Sequence, residues 1–253
     1  MTSETERSLK QIEINTAHKR SYSLILSSNS TDFTTVLDNP IQLGCDNWTA
    51  GLINLETYNS IPNITSTNNA FTYSTDSGTS WKTVTLSTGA YEIDSINSEI
   101  ERLMQTNGDS GIEILANVAT LGSVINIAPA THRVDLTVPN SLAATLGFTS
   151  TILSTGFNVS PNIVNILTVN SILVHCDIMK DSYLNNMHYP TIYSFFPNVN
   201  PGYKIVQNPI NIVYLPLHSK DIFKVRIWLT DQDLKPINLR GEKITIRMEL
   251  KRL

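Results

Sequence analysis

The clearest pattern in the chain is an alternation of apolar and polar residues in two segments, 223–230 and 243–251. A period of two puts alternate side chains on opposite faces of an extended backbone, so each segment predicts a β-strand with one buried face. The predicted buried residues are Phe223, Val225, Ile227, Leu229, Ile244, Ile246, Met248 and Leu250. Residues 231–241 connect the two predicted strands.

Six further segments show strand-like patterns, namely 22–27, 32–43, 48–58, 172–178, 191–196 and 210–217. Asn39–Pro40 predicts a bend, and segment 48–58 is apolar on both faces, as a covered central strand is. About eight or nine strands with polar turns predict an all-β protein, a single jelly-roll β-sandwich.

Residues 62–161 show a different pattern, which predicts a small α+β module inserted into the sandwich. A predicted hairpin turns at Asp76–Gly78. The main helix is marked by apolar residues at helical spacing, which are Ile93, Ile96, Ile100, Leu103 and Met104. We expect Asp94 or Ser95 to cap this helix and Asn107–Gly108 to end it.

Short strands near 112–115, 124–127 and 134–138 follow, and a short helix is expected from Asn140 to Gly147. The predicted organisation is a flexible N-terminal arm (1–11), a jelly-roll sandwich (12–61 and 162–253) and the inserted α+β module (62–161).

Composition narrows the function classes. Of 253 residues, 41% are hydrophobic and 16% charged, and the net charge is −4, which disfavours a protein that coats nucleic acid over its whole surface. No apolar run reaches the ~20 residues that a membrane helix needs. Residues 1–20 contain no apolar signal-peptide core, so we expect assembly inside the host cell rather than secretion through a signal peptide.

The search for chemistry predicts no catalytic, cofactor-binding or metal-binding residues, and therefore no enzyme. In a strand, His175 and Cys176 point to opposite faces and cannot pair. The five histidines lack metal-ligand spacing. The run Asp231–Asp233 lacks the glycine and glutamate of a calcium loop and is expected to form a turn. No phosphate-binding glycine loop occurs.

Two features indicate a possible interface. Lys224 and Arg226 on one strand, and Lys243, Arg247 and Lys251 on the other, would form a basic face if both strands shared a sheet orientation. Such a face is either an ordinary solvated surface or a docking surface for an acidic neighbour or genome phosphates. Trp228 on the same face is either an interface anchor or packs under the insert.

A set of motifs in fixed order resembles a known family. The motifs are Leu24–Ser30, Asn47–Leu52, Tyr58–Asn59, Gly89–Tyr91, Ser141–Phe148, Ser171–Asp177, Pro201–Tyr203, Leu229–Asp231, Leu239–Glu242 and Ile244–Arg247. Together they resemble the penton-like minor capsid proteins of Polinton/Maverick elements and adintoviruses across nearly the whole chain after the arm. The run Thr230–Lys235 departs from many relatives, whose turn usually contains glycine.

The resemblance implies a structural capsid protein. It implies a single jelly roll that forms homopentamers at the vertices of an icosahedral virion, in a shell built from a double jelly-roll major capsid protein. It implies no catalytic residues and no cofactor. The insert is a candidate for contact with a host receptor, and the arm has two candidate partners, the genome and the shell. The alternative function is a receptor- or carbohydrate-binding jelly-roll spike module.

Overall fold

The computed structural model describes residues 21–253, and the chain divides into two compact units. The first, here called the sandwich unit, comprises the described residues up to Asn59 together with Val169–Leu253. The second, here called the insert unit, is Ser60–Thr168. The predicted arm, residues 1–11, lies outside the described residues.

The structure contains one helix and eighteen strands in the described residues. In chain order they are β1 (Ser21–Ser28), β2 (Asp32–Gln42), β3 (Trp48–Tyr58), β4 (Ala70–Ser74), β5 (Lys82–Thr85), α1 (Ile93–Thr106), β6 (Ile112–Asn117), β7 (Gly122–Ile127), β8 (Arg133–Asp135), β9 (Ile152–Leu153), β10 (Gly156–Val159), β11 (Ile172–Cys176), β12 (Tyr183–Leu184), β13 (Met187–His188), β14 (Thr191–Phe195), β15 (Lys204–Gln207), β16 (Leu215–Pro216), β17 (Asp221–Thr230) and β18 (Ile244–Arg252).

The sandwich unit is built from two antiparallel sheets. One has the order β1-β18-β3-β15, with β16 also paired to β3, and the other has the order β14-β11-β17-β2. Consecutive strands cross repeatedly between the sheets, since β1 and β3 lie in one and β2 in the other. This is the arrangement of a jelly roll, so the predicted fold class is confirmed.

The period-two pattern of β18 corresponds to its burial. Its four alternate apolar residues, Ile244, Ile246, Met248 and Leu250, are fully buried. The strand lies between β1 and β3, so its backbone is paired on both sides and one face is left for the core. Burying each of these side chains contributes about 1.5–3 kcal/mol.

The expected buried face of β17 is wrong at one position, because Phe223 is exposed and Ile222 is buried. The register with β2 shifts between Ile222, which pairs with Ile41, and Lys224, which pairs with Val36. The extra β2 residues include the predicted bend at Asn39–Pro40, and proline cannot donate a ladder hydrogen bond. The resulting bulge turns Phe223 to the solvent.

The insert unit has its own hydrophobic core. Two sheets, β10-β7-β6 and β5-β4-β8-β9, contribute to it, and α1 packs on β6. The helix contributes Ile93, Ile96, Ile100 and Met104, as its spacing predicts. The fully buried residues of the sheets include Phe71, Tyr73, Ile125, Ile127 and Val134.

Two local predictions about helices need correction. The residue that precedes α1 is Glu92, and no side chain caps the helix, so Asp94 and Ser95 lie inside it rather than before it. The C-terminal prediction is confirmed, because Asn107 caps the helix and Gly108 has a left-handed φ of +75°.

The short helix expected from Asn140 to Gly147 is wrong, because the segment forms a bridge and a single turn. The Asn140 carbonyl accepts a hydrogen bond from Ala70 N–H, and Leu142 N–H donates to the Ala70 carbonyl. The Asn140 carbonyl, which would accept the first bond of the helix, is thus engaged by β4, and Asn140 has a left-handed φ of +59°. Gly147 then ends the turn with φ +77°.

Candidate interaction surfaces

The neighbours His175 and Cys176 on β11 serve structure rather than chemistry. The His175 ring nitrogens lie 3.0 Å from Thr191 Oγ1 and 2.8 Å from Thr230 Oγ1. Burial lowers the pKa of His175 to about 4 and raises the pKa of the Cys176 thiol to about 12. A neutral imidazole bonded at both nitrogens and a buried protonated thiol do not form a base–nucleophile pair.

Within residues 21–253, no three His, Cys, Asp or Glu side chains are grouped so that they could hold a metal ion. The Asp231–Asp233 run forms the predicted turn, in which Asp231 Oδ1 accepts hydrogen bonds from the N–H groups of Asp233 and Lys235, both at 2.9 Å. No helix of the described part is long and apolar enough to cross a membrane.

The outer face of β17 carries a layered cluster of charged and aromatic side chains. Arg226 forms a two-pronged ion pair with Asp32 at 2.8 and 2.6 Å, and this hydrogen bonding lowers the pKa of Asp32. The Arg226 guanidinium lies 4.9 Å from the centre of the Trp228 ring, within cation–π range. Trp228 stacks on His175 at 5.2 Å, and Tyr189 meets His175 edge-on at 4.8 Å.

This cluster explains how a histidine is fully buried on an outward-facing row of a sheet. Trp228, Tyr189 and the two threonines surround the His175 ring, so no water reaches it. Trp228 itself remains half-exposed. Aromatic side chains with a polar rim are the groups that anchor protein interfaces, so the cluster is a candidate contact surface of the sandwich unit.

The structure does not bring the predicted basic residues together. Lys224 and Arg226 lie on β17 and Arg247 on β18, which belong to different sheets, and Lys243 directly precedes β18. The condition for a joint basic face, a shared sheet, is therefore not met. On β17, Arg226 is paired with Asp32. On β18, Arg247 Nε donates to Ser23 Oγ at 3.2 Å.

A second surface, on the insert unit, was missed in the sequence. Leu115, Val124 and Val159 lie in one cross-strand row on β6, β7 and β10, on the face opposite the insert core. Phe157 extends this face, and the adjoining β6–β7 turn adds Val118 and Leu121. The neighbouring exposed residue Ile163 precedes Val164, whose N–H donates to the Leu121 carbonyl at 2.9 Å.

We call these seven residues the apolar patch. Six of them are exposed and Val124 is half-buried. The sequence signal of the patch is the turn Val118–Leu121, which is mostly apolar. Turns usually contain Asn, Asp or Gly instead. Alternation in β6 and β7 could not reveal which face would be covered, because apolar residues occur on both faces.

Comparison with known proteins finds no match to a family model and no match among curated proteins. Solved structures do match. The crystal structure of the mavirus penton protein has a TM-score of 0.50 and 9% identity, and the match covers 92% of this chain and 99% of that chain. A chain of the Sputnik virophage cryo-EM structure has a TM-score of 0.46 and 11% identity, with 93% and 98% covered. At these identities, the mavirus match shows a shared fold.

Proposed function

We propose that this chain is a structural capsid subunit that forms homopentameric vertices of an icosahedral, virophage-like virion. Its main partner would be a major capsid protein with a double jelly roll, and its location the virion capsid. The family proposed from the sequence motifs, the penton-like proteins of Polinton/Maverick elements and adintoviruses, is the finer form of the same proposal.

The observation that carries this proposal is the extent of the structural match. The fold shared with the mavirus penton protein covers 92% of this chain and nearly all of that protein, so both the sandwich and the insert fall within it. Jelly rolls host many functions, so the fold alone does not fix the role. The independent resemblance of the sequence motifs to penton-like proteins points to the same role.

The geometry of the sandwich unit suits a vertex subunit. Two antiparallel sheets with buried inner faces make a stiff body, and their lateral strands and loops remain available for neighbours. Five copies around an axis make head-to-tail contacts that close into a ring. Trp228 and Arg226 are proposed as one such contact, and Lys224, Lys243 and Arg247 as separate rim contacts.

Purification of the full chain, alone and co-expressed with a double jelly-roll major capsid protein, tests the proposal. We expect particles with fivefold symmetry in electron micrographs, a mass of five chains by light scattering, and incorporation at the vertices of assembled shells. A chain that stays monomeric at high concentration and is absent from assembled shells would refute the vertex role.

A second function, binding of a carbohydrate receptor, is favoured by a shallow depression on the insert unit. Its volume is about 570 Å³, and it is lined by Ser87, Tyr91, Asp94, Ser95, Ser98, Glu99 and Arg102. An aromatic ring beside carboxylate and hydroxyl groups suits the apolar face and the hydroxyls of a sugar. Glycan-array binding that is lost in Tyr91→Ala, with the Trp81→Ala control unchanged, would support this function.

A further inference from the structure

We propose that the apolar patch of the insert unit is covered by a neighbouring copy of this chain in the assembled particle. This inference rests on the proposed capsid function and names one contact through which copies would meet. It does not involve the Trp228 cluster, which lies on the sandwich unit.

The first argument is area. Val118, Phe157 and Leu121 are 81%, 72% and 64% exposed, and the other members are partly exposed. Together the seven side chains leave roughly 600 Å² of apolar surface in water, at the upper limit for single patches on monomeric proteins. A stable protein contact buries about 800 Å² on each partner, so the patch with its rim is one side of a standard interface.

The second argument is conformational strain at the turn. Leu121 has φ +54°, a left-handed conformation in which its Cβ is crowded by the backbone. A bulky residue costs roughly 1–2 kcal/mol in this region, whereas Asn or Gly occupies it readily. An exposed leucine at this position therefore opposes both local backbone preference and solubility. Such a residue is explained when its side chain is needed for a contact.

The third argument is charge, which favours a second copy of the insert as the partner. Between Ile114 and Thr168 the sequence contains two charged residues, Arg133 and Asp135, and both lie on β8 in the other sheet. Glu113, in register with Asn126 and Phe157, marks the border of the patch. An uncharged patch buries no unpaired charge when it meets another insert of the same kind. It also offers no lysine or arginine to lipid headgroups, which disfavours a membrane.

The position of Leu121 makes a decisive variant possible. Leu121→Asn removes the apolar side chain and places a residue that tolerates the left-handed conformation at the turn. Combined with Phe157→Thr, a β-forming residue, it should leave the free chain as stable as the wild type in urea unfolding. It should raise the dissociation constant for self-association at least about tenfold. Ile152→Asn, which removes an exposed apolar residue from β9 outside the patch, is the matched control and should change nothing.

The experiment measures self-association of the full chain by sedimentation velocity and mass photometry, with amide hydrogen exchange of residues 114–124 and 156–163 in dilute and assembled protein. The proposal is supported if the double variant assembles more weakly, the Ile152→Asn control assembles like the wild type, and the amides of the patch exchange more slowly in assembled than in dilute wild type. If oligomers form but the variant assembles normally and the patch gains no protection, this inference fails while the vertex role stands. If the wild type stays monomeric at high concentration and is also absent from assembled shells, both fail. Patch-dependent binding to neutral phosphatidylcholine vesicles with unchanged assembly would instead identify a lipid contact and overturn the proposal.

Discussion

Asn63 connects three parts of the insert unit, and its replacement by aspartate is the sharpest test of how that unit is held together. Asn63 Nδ2 donates to the carbonyl oxygens of Tyr91 at 2.6 Å and Ile166 at 3.0 Å. Its Oδ1 accepts from the Tyr91 N–H at 2.9 Å. The side chain is buried, so the start of the insert, the approach to α1 and the return segment share one amide.

Asn63→Asp keeps the shape of the side chain and removes both of its donors. The Tyr91 and Ile166 carbonyls would then face a carboxylate oxygen instead of an N–H. Loss of a donor to a buried carbonyl costs about 1–3 kcal/mol. Two lost donors therefore predict a destabilisation of about 3–5 kcal/mol at neutral pH, with the charge repulsion included. Protonation of the new carboxyl restores one donor, so the loss should shrink at low pH.

Urea unfolding of both proteins at pH 5 and pH 8 measures the loss, and hydrogen exchange shows where it falls. We expect faster exchange in residues 60–168 and little change in β17 and β18. Asn29→Asp is the control, because Asn29 donates one exposed hydrogen bond, to Gly241 at 3.1 Å. A loss under about 1 kcal/mol for Asn63→Asp, or an equal loss for both variants, would refute the reasoning.

Three further predictions follow from single groups. Gly147→Ala should cost more than about 2 kcal/mol in urea unfolding, because φ is +77° and a Cβ would overlap the Asn162 carbonyl; a smaller loss contradicts this. Tyr73→Phe should cost about 1–2 kcal/mol by calorimetry, because the buried phenol donates to Asp109 at 2.7 Å; an unchanged Tm contradicts this. From pH 6.5 to 4, stability should fall by roughly 2 kcal/mol, because unfolded His175 binds a proton that the folded chain excludes; an identical pH slope in His175→Gln contradicts this.

The loss of stability expected between pH 6.5 and pH 4 is smaller than the free energy that corresponds to the full pKa shift of His175. The folded pKa of about 4 lies below the ordinary 6.5, so the unfolded chain binds more protons between these values and stability rises with pH across the window. The full shift corresponds to about 3 kcal/mol. The fall between pH 6.5 and pH 4 is smaller, because the window ends at the two pKa values, where the folded and the unfolded imidazole are each half protonated.

The sequence predicts β18 well. Its alternation of apolar and polar residues corresponds to burial, because the strand is paired on both sides and has one face toward the core. The same reasoning failed at Phe223, because the bulge depends on the length of β2 between Val36 and Ile41. A local pattern contains no information about an extra residue on the partner strand.

The basic face failed for a topological reason. The alternation in 223–230 and 243–251 assigns each basic residue to the polar side of its own strand, and this much is correct. Whether two strands share a sheet depends on the connection between them. In a jelly roll, consecutive strands often belong to opposite sheets, so the polar faces of two consecutive strands can lie on different surfaces of the protein.

The core of the insert unit forms without the apolar patch. All its buried core residues lie between Ile64 and Leu153, so the unit satisfies its own apolar contacts. The outward row of β6, β7 and β10, which carries Leu115, Val124 and Val159, contributes nothing to that core. Apolar side chains at such positions, with a leucine held in a left-handed turn, are therefore better explained by a contact made outside the subunit than by folding.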